Sequence, residues 1–186
     1  MSKSKNREWL EKTAIVDRKE IYQGKFFQLV QDKVQDKNHL TKTFDLILHP
    51  GAVAIIPIDS KGRLILVEQW RPAAGRIMIE LPAGTLEKGE LPIDCANREL
   101  REETGYRGKD IIPIGGFYSA PGILSEYVHI FFAQDLVHDP LTAEDTDEID
   151  LLPLSLSEAL EKIQTGEIVD AKTVAGVLWY NQWLAQ

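Results

Sequence analysis

Glu99, Glu102 and Glu103 stand three and four residues apart, a spacing that gathers side chains on one face of a helix. Without a partner such a face is unfavourable, because like charges at these steps oppose the helix by roughly 0.2–0.5 kcal/mol per pair. Gly105 follows at once, so the acids crowd a last helical turn, where the dipole disfavours anions. A bound divalent cation relieves both problems. Hard carboxylate oxygens, completed by water and phosphate oxygens, suit Mg²⁺. Arg98 and Arg101 keep a second reading open, a solvated acidic face with its own counter-charges.

The element that must carry these acids is a short helix fed by a glycine-rich loop at residues 84–90. Pro92 suits a first helical turn and Asp94 places an acid near the positive end of the dipole. Gly105 can close the helix in a left-handed conformation. Ile93, Ala96 and Leu100 fall on one stripe that faces a core, and Cys95 reads as a small core residue of the same helix.

Gly84, five residues, Glu90, seven residues, Arg98-Glu99-Leu100, one residue, Glu102-Glu103, one residue, Gly105 and Tyr106 together are similar to the whole Nudix box. Every fixed position is filled; the last is usually aliphatic, and Tyr106 there is expected to touch packing more than chemistry. The resemblance implies an α+β domain, an α/β/α sandwich with a mixed β-sheet and the box helix packed on it. It implies hydrolysis of a nucleoside diphosphate linked to a further group, with Mg²⁺ or Mn²⁺ as cofactor. By the same resemblance Glu99 and Glu103 are the main metal ligands and Glu102 is a metal ligand or catalytic neighbour. The backbone carbonyl of Ala83 adds a neutral oxygen, while Arg98 and Glu90 hold loop and helix together. Gly84 and Gly89 would let the loop turn sharply near the phosphates.

The flanks narrow the resemblance. Glu68-Gln69-Trp70-Arg71, followed by Glu80-Leu81-Pro82-Ala83-Gly84, is similar to ADP-ribose pyrophosphatases and related nucleoside-diphosphate-sugar hydrolases. Arg71 is the candidate for a substrate phosphate or ribose, since a guanidinium can contact such oxygens bidentately, and Glu80 is a substrate-binding candidate beside it. Pro121, fifteen residues past the box, points the same way and makes Glu126 a substrate-site or metal-site carboxylate. Pro121-Gly122 is also an ordinary turn pair. In these hydrolases an acidic loop carries the general base; here residues 139–150 hold Glu148, the first candidate, and Glu144, the second. The leading substrate is ADP-ribose, giving AMP and ribose 5-phosphate. GDP-mannose or a broad range of sugar nucleotides stays open, as does a non-catalytic nucleotide-sensing module, although such modules usually lose box glutamates and none is lost here.

A chain of 186 residues with net charge −8 fits one domain of ordinary size with a small N-terminal extension. The acidic balance argues against a general nucleic-acid binder and leaves an anionic substrate to metal ions and local arginines. Cys95 is the single cysteine, so no internal disulfide forms and a reducing, cytoplasmic setting is expected. His39, His49, His129 and His138 lack metal-ligand spacing, and nothing resembles a signal peptide or membrane span.

Residues 1–50 are expected to form a β extension, with strands at 13–16, 26–30 and 43–48 and a polar separator at 17–24. In related hydrolases this segment is a small sheet that swaps across a two-fold dimer, so a homodimer is implied. Trp9, Phe26 or Phe27 would stack on the base or serve as strand core. Residues 51–186 form the hydrolase domain, with 52–58 and 63–70 reading as a hairpin about 59–62. Further strands are expected at 77–81, 111–118, 127–134 and 149–154. Ser155 and Glu158 make a capping box for a helix at 158–164. Asp170 caps a last helix with an apolar stripe of Val174, Val177, Leu178 and Leu184, and with Trp179 and Trp183 in the core.

Overall fold

Two compact units divide the chain, residues 1–50 with 120–126, and residues 51–119 with 127–186. The structure, a computed structural model, describes residues 14–36, 38–142 and 149–185.

The first unit is an antiparallel meander of β1 (Ile15–Gln23), β2 (Gln28–Gln35) and β3 (Thr41–Leu48), in the order β1-β2-β3. The polar stretch expected to separate two strands is itself strand, because β1 runs on to Gln23. Cross-strand chemistry replaces an apolar run: Arg18 lies opposite Asp32 and grips its carboxylate through Nε and Nη2, both at 2.7 Å. Residues 120–126 join this unit through Ile47, whose N–H donates to the Ile123 carbonyl at 2.7 Å.

In the second unit β4 (Ala52–Pro57) is buried at every position. It lies between β7 (Ala83–Thr85), antiparallel, and β9 (Tyr127–His138), parallel, with β8 (Tyr106–Tyr118) antiparallel on the far side of β9. The sheet is therefore mixed, in the order β7-β4-β9-β8. A second sheet, order β10-β5-β6, joins β10 (Asp150–Leu154), β5 (Leu64–Arg71) and β6 (Arg76–Glu80). The expected hairpin at 52–70 does not form. Its turn exists, with Asp59 Oδ1 accepting from the N–H groups of Lys61 and Arg63, but an isolated bridge between Ile58 and Leu64 is the strands' pairing. β4 and the first half of β5, Leu64 to Val67, are continuous apolar runs buried on two faces, so each takes neighbours in its own sheet.

Helices cover both faces. α1 (Pro92–Thr104) packs Cys95, Ala96 and Leu100 against Val53, Ile55 and Phe131. On the other face α2 (Leu156–Gln164) and α3 (Ala171–Leu184) supply Ala159, Val177 and Tyr180 to a core with Ala54, Ile56, Leu64 and Leu66. The Ser155–Glu158 capping box and the Asp170 cap are present. The stripe of α3 differs from the expected one: Thr173, Gly176, Val177 and Tyr180 are buried, whereas Leu178 and Leu184 are exposed. Trp179 and Trp183 are also exposed in part, Trp183 packing edge-on against Phe132 at 4.7 Å. The architecture is the expected α+β one, helices on both sides of a mixed sheet.

Candidate active site

Local chemistry sets the box helix. Leu91 offers no side-chain cap, Pro92 opens the first turn, and Gly105 closes the last with φ 74° and an N–H bonded to the Arg101 carbonyl. The apolar stripe turns inward, which leaves Glu99 on the edge facing β7. There Gly84 lies in strand rather than in a turn, without a positive φ. A Cβ built on it would fall 1.9 Å from Cδ and Oε1 of Glu99. Glycine is needed at 84 for space. The sharp backbone turn expected of both loop glycines belongs to Gly89, at φ 80°.

Arg98 gathers the acids. Its Nε and Nη2 donate to the two oxygens of Glu90, each at 2.9 Å, while Nη1 donates to Glu99 at 2.6 Å and to Glu102 at 3.1 Å. Glu90 also accepts from the Glu87 N–H at 2.9 Å, so one arginine ties loop to helix. The Arg98 bonds hold the Glu90 carboxyl below its usual range. Glu99 moves the other way: burial raises it more than Arg98 lowers it. Burial likewise pushes Glu103 up to about 8, against a hydrogen bond from the Ala83 N–H at 2.9 Å.

A second charged cluster adjoins Glu103. Arg71 donates from Nε to Glu80 Oε1 at 2.8 Å and from Nη2 to Oε2 at 2.7 Å. Lys172 Nζ also donates to Glu80 Oε2 and lies 3.1 Å from Asp170 Oδ2. Glu80 is 2% exposed. Burial raises its carboxyl, but the two cations outweigh burial and the net shift is downward. The fields of Arg71 and Lys172 reach Glu103. Thr173 Oγ1, held by Asp170, accepts from the Leu81 N–H at 2.8 Å, which moors the corner before Ala83 to the start of α3.

The described residues thus bring together Ala83, Glu99, Glu102, Glu103, Arg71 and Glu80. Glu126 lies in the first unit, 3.6 Å from Nδ1 of His49. Glu144 and Glu148 fall outside the described residues, as does Trp9. Lys172 was not legible in the sequence, since it meets Glu80 across 92 positions. Arg98 was foreseen both as a loop-to-helix tie and as a counter-charge of the acidic face, and it is both; Arg101, the other expected counter-charge, turns instead to Asp139.

The donor set fits a hard divalent cation in chemistry. Burial shifts the carboxyls of both Glu99 and Glu103 upward, and Gly84 leaves the room that Glu99 occupies. As they stand, no three acidic, histidine or cysteine groups among the described residues enclose an ion; Arg98 spans Glu99 and Glu102 instead. A cation would take these oxygens over from Arg98. Among the described residues no helix is long and apolar enough to cross a membrane.

Buried carboxylates on a helix packed on a mixed sheet, beside Arg71 and Lys172, are the parts that a metal-assisted hydrolase of phosphate anhydrides uses. Residues 48–175 match the NUDIX domain family. The chain is 38% identical to an ADP-ribose pyrophosphatase of Bacillus subtilis, covering 87% of this chain and 89% of that one. It is 39% identical to a methanol dehydrogenase activator of Bacillus methanolicus, over 85% of this chain and 86% of that one. A GDP-mannose pyrophosphatase of Salmonella typhimurium is 33% identical over 78% of this chain and 90% of its own. A solved ADP compounds hydrolase shares the fold, with a TM-score of 0.82, 21% identity and coverage of 92% and 94%. The chain belongs to the NUDIX family and is a Nudix hydrolase, of a family that generally requires a divalent metal.

Proposed function

We propose that this protein is a Mg²⁺-dependent pyrophosphatase of nucleoside diphosphate sugars, with ADP-ribose as the leading substrate. Water attacks one phosphorus, the bridging oxygen leaves with the other, and AMP and ribose 5-phosphate result. The observation that carries the reading is the contact of two clusters at Glu103, where buried carboxylates for a metal meet the field of Arg71 and Lys172. Glu99, Glu102 and Glu103, with the Ala83 carbonyl, would hold Mg²⁺ (Mn²⁺ as a substitute). The metal supplies charge neutralisation of the diphosphate and a Lewis acid at the attacked phosphorus. Arg71 is oriented by Glu80 through Nε and Nη2, which leaves Nη1 to donate to a phosphate or ribose oxygen. Glu148, with Glu144 as second candidate, takes the proton of the attacking water. Glu126 contributes a further carboxylate on the substrate side.

The first unit is the dimerisation and base-pocket element of a cytoplasmic homodimer. It exposes Val16, Ile21, Tyr22, Phe26, Phe27 and Phe44, apolar surface of the kind that supports an interface. The GDP-mannose pyrophosphatase relatives support a second reading, a different or broader sugar-nucleotide preference.

One experiment tests these readings together. The sized protein is assayed with Mg²⁺ or Mn²⁺ on ADP-ribose, GDP-mannose, UDP-glucose and a nucleoside triphosphate, with products separated chromatographically. AMP appearing fastest from ADP-ribose, from a species of dimer mass, is the expected result. Comparable rates on several sugars would select the broader reading, and no cleavage of any with metal present would refute both.

A further inference from the structure

Gln69 carries an unmet polar demand. Its Nε2 is buried and finds no hydrogen-bond partner among the described residues. Native interiors seldom leave a donor in that state, because the lost hydration is not returned. Alternation along β5 places Gln69 on the same face as Val67 and Arg71, opposite Met78 of β6. Val67, Met78 and Arg71 offer no strong acceptor, and the oxygens of Glu80, diagonal on the same face, are taken by Arg71 and Lys172.

The position of Arg71 sharpens the point. Glu80 lies opposite Val67, four residues back along β5 from Arg71, so Arg71 must lean along the strand past Gln69 to reach it. The orphan N–H therefore lies beside the guanidinium, and Nη1 of Arg71 is likewise unengaged among the described residues. Two unused donors on one face fit a ligand that presents oxygens.

We propose that the Gln69 carboxamide donates from Nε2 to an oxygen of the bound nucleoside diphosphate sugar beside Arg71, as a specificity-determining residue. The proposal rests on the functional reading above. A neutral donor discriminates without adding charge: an oxygen in the right place satisfies it, and a ligand lacking that oxygen leaves it orphaned.

The test is Gln69→Met, unbranched and of similar length, measured for both stability and turnover. A residue serving the fold loses melting temperature when replaced. A donor kept for the ligand does the reverse, so Gln69→Met should melt at or above the wild type while its kcat/KM for ADP-ribose falls about 10- to 100-fold. A kcat/KM within about twofold of wild type, or a melting temperature lowered by several degrees, would overturn the proposal. If the wild type cleaves no sugar nucleotide, the functional reading fails by itself. Calorimetric binding of ADP then decides on Gln69: equal affinity in the two proteins overturns it, and about tenfold weaker binding by the variant sustains the donor for another diphosphate.

Discussion

Replacing Gly84 by alanine separates the site from the fold. The backbone at 84 has no positive φ, so alanine adopts it without strain. The added carbon would lie 1.9 Å from Glu99 Cδ, whereas carbon atoms rest about 3.5–4.0 Å apart, so the carboxylate must retreat by roughly 1.5–2 Å. That retreat costs little stability. Arg98 keeps Glu90 and Glu102, and burial already opposes the charge on Glu99; a change within about 1 kcal/mol is expected. Catalysis is less tolerant, because a displacement of about 1 Å in a positioned group costs roughly 100-fold. Steady-state hydrolysis at saturating Mg²⁺ should therefore show kcat/KM down at least about 100-fold, or about 2.7 kcal/mol of barrier. Gly89→Ala is the control: it strains a φ of 80° with open space around it, which costs about 1–2 kcal/mol of stability and displaces no carboxylate. It should melt lower and turn over nearly as fast. Gly84→Ala with kcat/KM within about threefold of wild type would show that Glu99 need not stand where it does.

Two further outcomes follow from the charges. Glu103, pushed up to about 8, keeps in the metal-free native state a proton that the unfolded chain releases near pH ~4.3, so stability falls as pH rises between those values. Glu103→Gln, neutral throughout, should lose that slope and melt above the metal-free wild type at alkaline pH, with turnover reduced by orders of magnitude; a wild-type melting curve flat in pH would refute the burial. Glu80→Gln leaves Arg71 and Lys172 facing an uncharged amide. Breaking a fully buried pair costs about 3–5 kcal/mol, and because Arg71 is 39% exposed a loss of about 2 kcal/mol is expected in urea unfolding. An unchanged midpoint would show that the pair does not hold the site.

Local spacing was legible and distant pairing was not. The box helix could be placed from Pro92, Gly105 and the stripe of Ala96 and Leu100, because caps and periodicity act within a few residues. The hairpin at 52–70 was misread for a physical reason: a continuous apolar run says that a strand is buried, not which strand it pairs with. The opposite failure occurred at 17–23, where charged residues form strand because a partner such as Asp32 lies in register. On α3, Thr173 and Gly176 are buried and leucines are not, since close approach and the Leu81 N–H select the inner face there. The surroundings of Arg71 depend on Lys172 and Gln69, neither of which carries a local signal of its role.

Arg98 pairs with two of the three glutamates on the helix, Glu99 and Glu102, and with Glu90 of the loop, so losing the first two would not undo the tie. Its charge is divided by atom. The Nη1 end holds Glu99 and Glu102, the oxygens a cation would claim. The Nε–Nη2 fork holds Glu90, and Glu90 in turn holds the Glu87 N–H of the loop. A cation bound at those oxygens would take the place of Nη1 in offsetting the like charges of α1. The fork lies along a separate edge of the guanidinium from Nη1. A cation at the carboxylates would therefore leave the tie between loop and helix in place. A lysine at 98 could not do this: one ammonium cannot hold the loop and release the helix at once.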